Sequence, residues 1–311
     1  MRLAVLIFFV PLLGALGCTT DPSGYTSDTA PFGAPQPLGR VNDPQLSEVS
    51  GLVASRKNPG ALWVHNDSGN PATLLLISDG GTLLATYHLH GAENRDWEDI
   101  AIGPGPVPGE TYLYVGDIGD NFSLRRSHCV YRVIEPQHDA AAERTVDTIR
   151  QVAKLNFTYP QGATDAETLL LDPVGPTLYV LTKETDRIRV YTLQTGEHQQ
   201  TAQLIATHSY RGDNLLDRLV AGDMSADGTE VLLKTYEYVF YWRRTDATVP
   251  IPDLLATPAD TLPYFVEPQG EAVGFAADGS GYYTLSEENL GADVHLFFYP
   301  RSLEDSTQAI R

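Results

Sequence analysis

An all-β fold made of repeated four-stranded units is what this sequence predicts, and three observations carry the prediction. First, one pattern returns five times. An acidic residue opens a short apolar run, a turn rich in Asp, Asn, Pro or Gly follows, and a second apolar run ends in polar residues. The copies open at Glu48-Val-Ser-Gly-Leu-Val, Glu98-Asp-Ile-Ala-Ile, Glu167-Thr-Leu-Leu-Leu, Asp223-Met-Ser-Ala-Asp-Gly and Glu271-Ala-Val-Gly-Phe. Their second runs are Leu62-Trp-Val-His-Asn-Asp, Tyr112-Leu-Tyr-Val-Gly-Asp, Leu178-Tyr-Val-Leu-Thr-Lys-Glu, Val231-Leu-Leu-Lys-Thr-Tyr and Tyr282-Tyr-Thr-Leu-Ser-Glu. Second, the anchors at 48, 98, 167, 223 and 271 stand 50, 69, 56 and 48 residues apart. Third, no long amphipathic helix is legible anywhere in the chain. A period near 50 residues built from short strands is the signature of a β-propeller blade. The prediction is a single all-β propeller of five four-stranded blades. Six is the alternative, since the 69-residue spacing has room for a degenerate blade.

Blade one reads 48–54, 61–66, 72–78 and 82–89, with hairpin turns at Asn58-Pro-Gly and Asp79-Gly-Gly. Blade two reads 98–103, 111–116, 129–135 and 147–158, its extra length lying in the loops at 103–110 and 137–145. Blade three reads 167–172, 177–183, 187–193 and 201–208. Blade four reads 222–226, 230–235, 238–243 and 261–266. Blade five reads 271–276, 281–286 and 294–299, one strand short. The run Pro37-Leu-Gly-Arg-Val can supply the missing strand, which would close the ring and remove the free sheet edges.

Residues 1–17 read as a signal. Arg2 precedes an apolar stretch, 3–16, that is short for a bilayer span and ends at Ala15-Leu16-Gly17-Cys18. A small residue before a cysteine resembles a bacterial lipoprotein signal, which implies acylation of Cys18. Secretion with ordinary cleavage and retention as an uncleaved anchor are the other readings. Residues 18–36 are poor in large apolar groups and read as a flexible tether to the propeller domain, 37–311. The expected location is the cell envelope. Thr19 lacks the Asp that resembles an inner-membrane retention signal, which favours the outer membrane. The membrane partner is reached through the anchor, and a monomer is expected.

The formal charge of −19 repels nucleic acid and anionic lipid, and no basic run is present. Of the two cysteines, Cys129 alternates within Ser127-His-Cys-Val-Tyr-Arg-Val and reads as a buried, inert thiol. There is no Gly-x-Ser-x-Gly and no Walker loop, and Ser50 and Ser225 have no comparably placed His.

The chemistry lies in carboxylates. First strands line a propeller's channel, so Glu48, Glu98, Glu167, Asp223 and Glu271 are expected to converge near one mouth. Like charges this close protonate, pair with Lys or Arg, or bind a cation. Oxygen ligands without a His–Cys cluster favour Ca²⁺. The competing reading is structural: each carboxylate turns aside to accept backbone N–H bonds and ties blades together. Asp67 and Asp117 each fall 19 residues after their anchors and are expected to be equivalent. Asn66, Asn121 and His65 lie beside them as ligand candidates, as does Trp97, although Trp and Tyr here also suit blade packing. Lys183, Glu184 and Lys234 are expected at matching places in blades three and four. There they would neutralise the ring or hold an anion.

The motifs Glu48-Val-Ser-Gly-Leu, Trp63-Val-His-Asn-Asp-Ser-Gly, Asp96-Trp-Glu-Asp-Ile-Ala, Tyr114-Val-Gly-Asp-Ile-Gly-Asp-Asn, Asp165-Ala-Glu-Thr-Leu and Gln269-Gly-Glu-Ala-Val together resemble those of a group of uncharacterised bacterial exported proteins. More distantly the chain is similar to secreted propellers of the phytase-like and gluconolactonase-like types. The phytase-like resemblance implies Ca²⁺ held by channel carboxylates and hydrolysis of phosphate esters. The gluconolactonase-like one implies a divalent ion that activates water. Two functions are therefore expected in competition. One is a lipid-anchored binding module for a protein or small-molecule ligand. The other is a metal-dependent phosphoesterase or lactonase.

Overall fold

The structure is a computed structural model that describes residues 31–209, 217–288 and 293–302. The signal-type segment, Cys18 and the tether up to residue 30 lie outside the described residues. The chain enters with strand β1 (Gln36–Val41) and then builds blade one from β2 (Val49–Ala54), β3 (Ala61–Asn66), β4 (Thr73–Ser78) and β5 (Leu83–Leu89). Blade two holds β6 (Trp97–Pro104), β7 (Thr111–Asp117) and β8 (His128–Ile134); β9 (Thr145–Ile149) and β10 (Ala153–Thr158) follow. Blade three holds β11 (Ala166–Asp172), β12 (Thr177–Thr182) and β13 (Arg187–Gln194), followed by β14 (Gln199–Thr201) and β15 (Gln203–Ser209). Blade four has β16 (Leu219–Met224), β17 (Glu230–Thr235) and β18 (Val239–Arg243), the one-turn helix α1 (Ile251–Leu255), and β19 (Asp260–Thr261). Blade five has β20 (Gly270–Phe275), β21 (Gly281–Ser286) and β22 (Val294–Pro300).

Five blades of four or five strands form the ring. The first strands β2, β6, β11, β16 and β20 touch in sequence and β20 returns to β2. Closure runs as the sequence suggests: β1 pairs antiparallel with β22, Val41 opposite Val294 and Gln36 opposite Phe298. The fold takes up chain earlier than expected, because Phe32, inside the segment read as tether, is buried between blades four and five.

Three outer strands depart from expectation. The run 147–158 divides. β9 leaves blade two and pairs in parallel with β5 of blade one, and only β10 stays. β14 likewise crosses from blade three to pair in parallel with β10. Alternation alone cannot show which sheet an outer strand joins. In blade four the expected 261–266 shrinks to two residues, because Pro263 has no N–H to extend the ladder.

Packing lies between blades rather than within one interior. Five apolar clusters fill the five interfaces. Trp63 and Trp97 lie in the one between blades one and two, and Tyr282 and Tyr299 stack between four and five. Turn residues fit their roles: Gly81 closes the Asp79-Gly-Gly hairpin at φ 82°, a conformation that a side chain would strain.

Strand directions sort the loops onto two faces. First strands begin, and second strands end, at one mouth of the channel. β1 begins and β22 ends at the far face, where Gly33 N–H donates to the Pro300 carbonyl at 2.7 Å. Both ends of the described chain therefore leave from the face opposite that mouth.

Candidate functional site

A β-bulge sits at the mouth end of every first strand. The register slips between Val49 and Gly51, Trp97 and Asp99, Ala166 and Thr168, Leu219 and Ala221, and Gly270 and Ala272. A bulge re-aims one side chain. The bulged residues are Ser50, Glu98, Glu167, Val220 and Glu271. This corrects two anchors. Glu48 precedes its bulge by two residues, and Asp223 follows its own by three.

Two further tiers complete the mouth. Two residues before the bulges stand Glu48, Asp96, Asp165, Arg218 and Gln269. Just past the second strands stand Asp67, Gly119, Lys183, Tyr236 and Glu287. The tiers are joined by equivalent backbone bonds, Asp67 N–H to Glu48 (2.8 Å), Gly119 to Asp96 (3.2 Å), Lys183 to Asp165 (3.1 Å) and Glu287 to Gln269 (3.0 Å). Asp67 is thus the counterpart of Lys183 and Glu287. It is not equivalent to Asp117, whose counterpart opposite the bulge is Asn66. Lys183 and Lys234 are not equivalent either. Lys183 follows Thr182 at the mouth, whereas Lys234 precedes Thr235 and is fully buried.

Eight carboxylates meet here: Glu48, Asp67, Asp96, Glu98, Asp165, Glu167, Glu271 and Glu287. Lys183 and Arg218 are the cations of these tiers. Burial, with Glu271, Asp96 and Glu48 nearby, pushes the Asp67 carboxyl up to about 7. Burial and then Glu167 and Asp67 raise Glu98 well above the carboxylate range. Burial lifts Glu167 to about 8 although its ion-pair partner Lys183 opposes the shift. Burial, Glu271 and Asp67 lift Glu287 to about 9. Tyr236 donates its hydroxyl to Glu271, and Asn70 donates to Glu48.

Within this group Asp67, Asp96 and Glu98 bring one oxygen each to within 4.8 Å of one another. Oxygens that share a Ca²⁺ at about 2.4 Å are at most about 4.8 Å apart, so the spacing fits that ion. Gly119 lets Asp96 and Glu98 lie close against the backbone. Where the other blades place Asp, Lys, Tyr or Glu, blade two has no side chain. A Cβ there would lie 2.7 Å from Asp96 Oδ2 and collide with Glu98 Oε1.

The other expected residues are placed elsewhere. Asp223 accepts N–H bonds from Met224 and Phe275, both at 2.8 Å, and so ties blade four to blade five. Asp99, which the sequence did not single out, does the same for three blades. It accepts from Ile100 (2.9 Å), Leu169 (2.8 Å) and Gly222 (3.2 Å). Asp117 is buried and held by Arg125 at 2.6 Å. The Cys129 thiol donates to Asp117 at 3.7 Å and is pushed up to about 12 by burial. His65 is buried edge-on to Trp97, and burial holds its imidazole down to about 4. Trp97 packs in the core and donates to the Glu93 carbonyl at 3.1 Å. Asn66 donates to the Gln45 carbonyl at 2.7 Å. Asn121 is exposed in the loop after β7. Glu184 accepts from Arg189 at 2.7 Å. Lys234 donates to the carbonyls of Thr235 and Gly270 and sits 4.4 Å from the Tyr264 ring centroid; burial lowers its ammonium to about 8.

The five-fold pattern does not single out Asp96, Asp165, Glu287 or Gly119 as site residues. The signal for two of them is the repeated Asp-x-Glu of Asp96-Trp-Glu98 and Asp165-Ala-Glu167.

No family model and no curated protein matches the chain. Among solved structures the chain is similar to the Dos1 propeller at 13% identity, with a TM-score of 0.35, over 80% of this chain and 68% of that one. The class that the blades define is a five-bladed β-propeller.

Proposed function

We propose that the protein is an envelope-anchored binding module whose working face is the acidic mouth, with Ca²⁺ held by Asp67, Asp96 and Glu98. The observation that carries this reading is the convergence of three carboxylates, two of which pack against Gly119, where no side chain pushes them apart. When bound, the ion supplies positive charge where eight carboxylates outnumber Lys183, Arg218 and the neighbouring Arg125. Glu48, Glu271 and Glu287 shape the field around it, and Lys183 neutralises Glu167. Anchoring through an acylated Cys18 would suit the chain path, because both ends of the described chain lie on the far face and leave the mouth pointing outward.

The test is calorimetric titration of the full chain with Ca²⁺. Binding is expected for the native protein and for Glu110→Gln on the far face. It should weaken at least tenfold in Asp96→Asn and Glu98→Gln. Absence of binding at millimolar Ca²⁺, or equal binding by all four proteins, removes the cation reading. The alternative, a metal-dependent phosphoesterase or lactonase, requires turnover of phosphate monoesters or lactones by the Ca²⁺-loaded protein that Asp96→Asn abolishes. The anchor is checked by the mass of the mature N-terminus.

A further inference from the structure

The loop between β7 and β8 rises from the acidic mouth and is held more firmly than its exposure suggests. Asp120 accepts from the Leu124 and Arg125 N–H groups, both at 2.9 Å, and Ser123 N–H donates to the Asp120 carbonyl at 2.7 Å. Arg125 reaches back to the Asp117 carboxylate and to the Gly119 carbonyl, each at 2.6 Å. Asp120 N–H donates to Asp165 at 2.8 Å, which joins the loop to blade three. Ser123 has φ 50°, and it is the non-glycine residue with positive φ among the described residues. Strain of this kind persists where surrounding bonds over-determine it.

This braced loop carries Phe122 and Leu124 into solvent at 75% and 79% exposure. Local bonds fix the loop without them, and among the described residues both side chains stand in solvent. Large apolar groups held out on a rigid loop beside a charged cavity mark an interaction surface. Three facts narrow the occupant. The mouth below the loop is acidic, so the complementary group is cationic. Both ends of the described chain lie on the opposite face, so neither end covers the loop. The whole chain is at −19, which disfavours an anionic bilayer as the apolar partner.

We propose that the acidic mouth and the Phe122–Leu124 loop together dock a protein that presents a basic side chain flanked by large apolar residues. The basic group enters the mouth, and the flanking groups cover Phe122 and Leu124. The inference rests on the mouth being the binding face and is independent of whether Ca²⁺ is the ion there.

The experiment uses the full chain, in chelator, and three synthetic dodecapeptides: alternating Leu and Lys, alternating Gly and Lys, and alternating Leu and Glu. Affinity is read by fluorescence anisotropy on the native protein and on the double variant Phe122→Ser/Leu124→Ser. The Leu–Lys peptide is expected to bind the native protein, and the double variant to lose roughly 10–100-fold. The Gly–Lys peptide should be weaker by a similar factor, and the Leu–Glu peptide should not bind. The melting temperature of the double variant should match the native value, since both side chains stand in solvent. Equal affinity of the Leu–Lys and Gly–Lys peptides, or no loss in the double variant, overturns the proposal. So does binding to zwitterionic phosphatidylcholine vesicles that the double variant abolishes, which would make the loop a bilayer contact. Ca²⁺ titration of the native protein separates the two readings. Native Ca²⁺ binding with no binding of the Leu–Lys peptide sinks the docking surface alone, and native peptide binding with no Ca²⁺ binding sinks the cation site alone.

Discussion

Replacing Glu287 by Gln should flatten the pH dependence of stability at neutral to basic pH. Burial, the neighbouring Glu271 and Asp67 carboxylates and a hydrogen bond with Glu271 push the Glu287 carboxyl from 4.5 to about 9. The folded protein therefore holds a proton at pH 7–8 that the unfolded chain has released. Its contribution is fully present below the unfolded value and is lost as pH rises towards the folded one. Across one pH unit from 7 to 8, still below about 9, the loss is about 1.4 kcal/mol. For a chain of this size that is roughly 3 °C in melting temperature. The buried histidines His65 and His128 do not confuse the window: burial lowers both to about 4, and above pH 7 their neutral form dominates folded and unfolded. Asp67 and Glu167 add slope of the same sign in both proteins. The assay is thermal melting at pH 7, 7.5 and 8 in chelator. The native protein should lose roughly 3 °C more than Glu287→Gln over that unit. Equal slopes, or a native melting temperature that rises with pH, would refute the reasoning.

Other consequences follow from single contacts. Gly119→Ala should leave the fold intact but displace Glu98 and Asp96, cutting Ca²⁺ affinity about tenfold or more; calorimetry that shows native affinity counts against this role of Gly119. Asp223→Ala should cost about 1–3 kcal/mol by stranding the Met224 and Phe275 N–H groups, with Ca²⁺ affinity unchanged, as denaturant melts and titration together would reveal. Asp99→Ala should cost more than Asp223→Ala, since it strands three N–H groups in three blades, and a smaller loss in urea melts would contradict the tie.

The blades were legible because hairpins are local. Short apolar runs separated by Asn58-Pro-Gly or Asp79-Gly-Gly specify themselves, and β2 to β5 fall within a residue of expectation at either end. The closing strand was legible as a count, one strand missing at one end and one spare at the other. Outer strands were not, because β9 and β14 join neighbouring sheets through pairing that no local pattern records. The mouth was half legible. An acidic residue before an apolar run marks the bulge in three blades, but Ser50 and Val220 take that place in the others, and so Glu48 and Asp223 were misregistered. A bulge moves the register by one residue without a sequence mark. Gly119 was invisible for another reason: its meaning lies in side chains present at the matching places of the other blades.

The most direct test of the account is a crystal of the full chain grown with Mn²⁺ in place of Ca²⁺, measured for anomalous scattering. The account predicts one strong peak at the mouth between Asp67, Asp96 and Glu98, lost in Asp96→Asn. A peak elsewhere, or none at millimolar Mn²⁺, would contradict it.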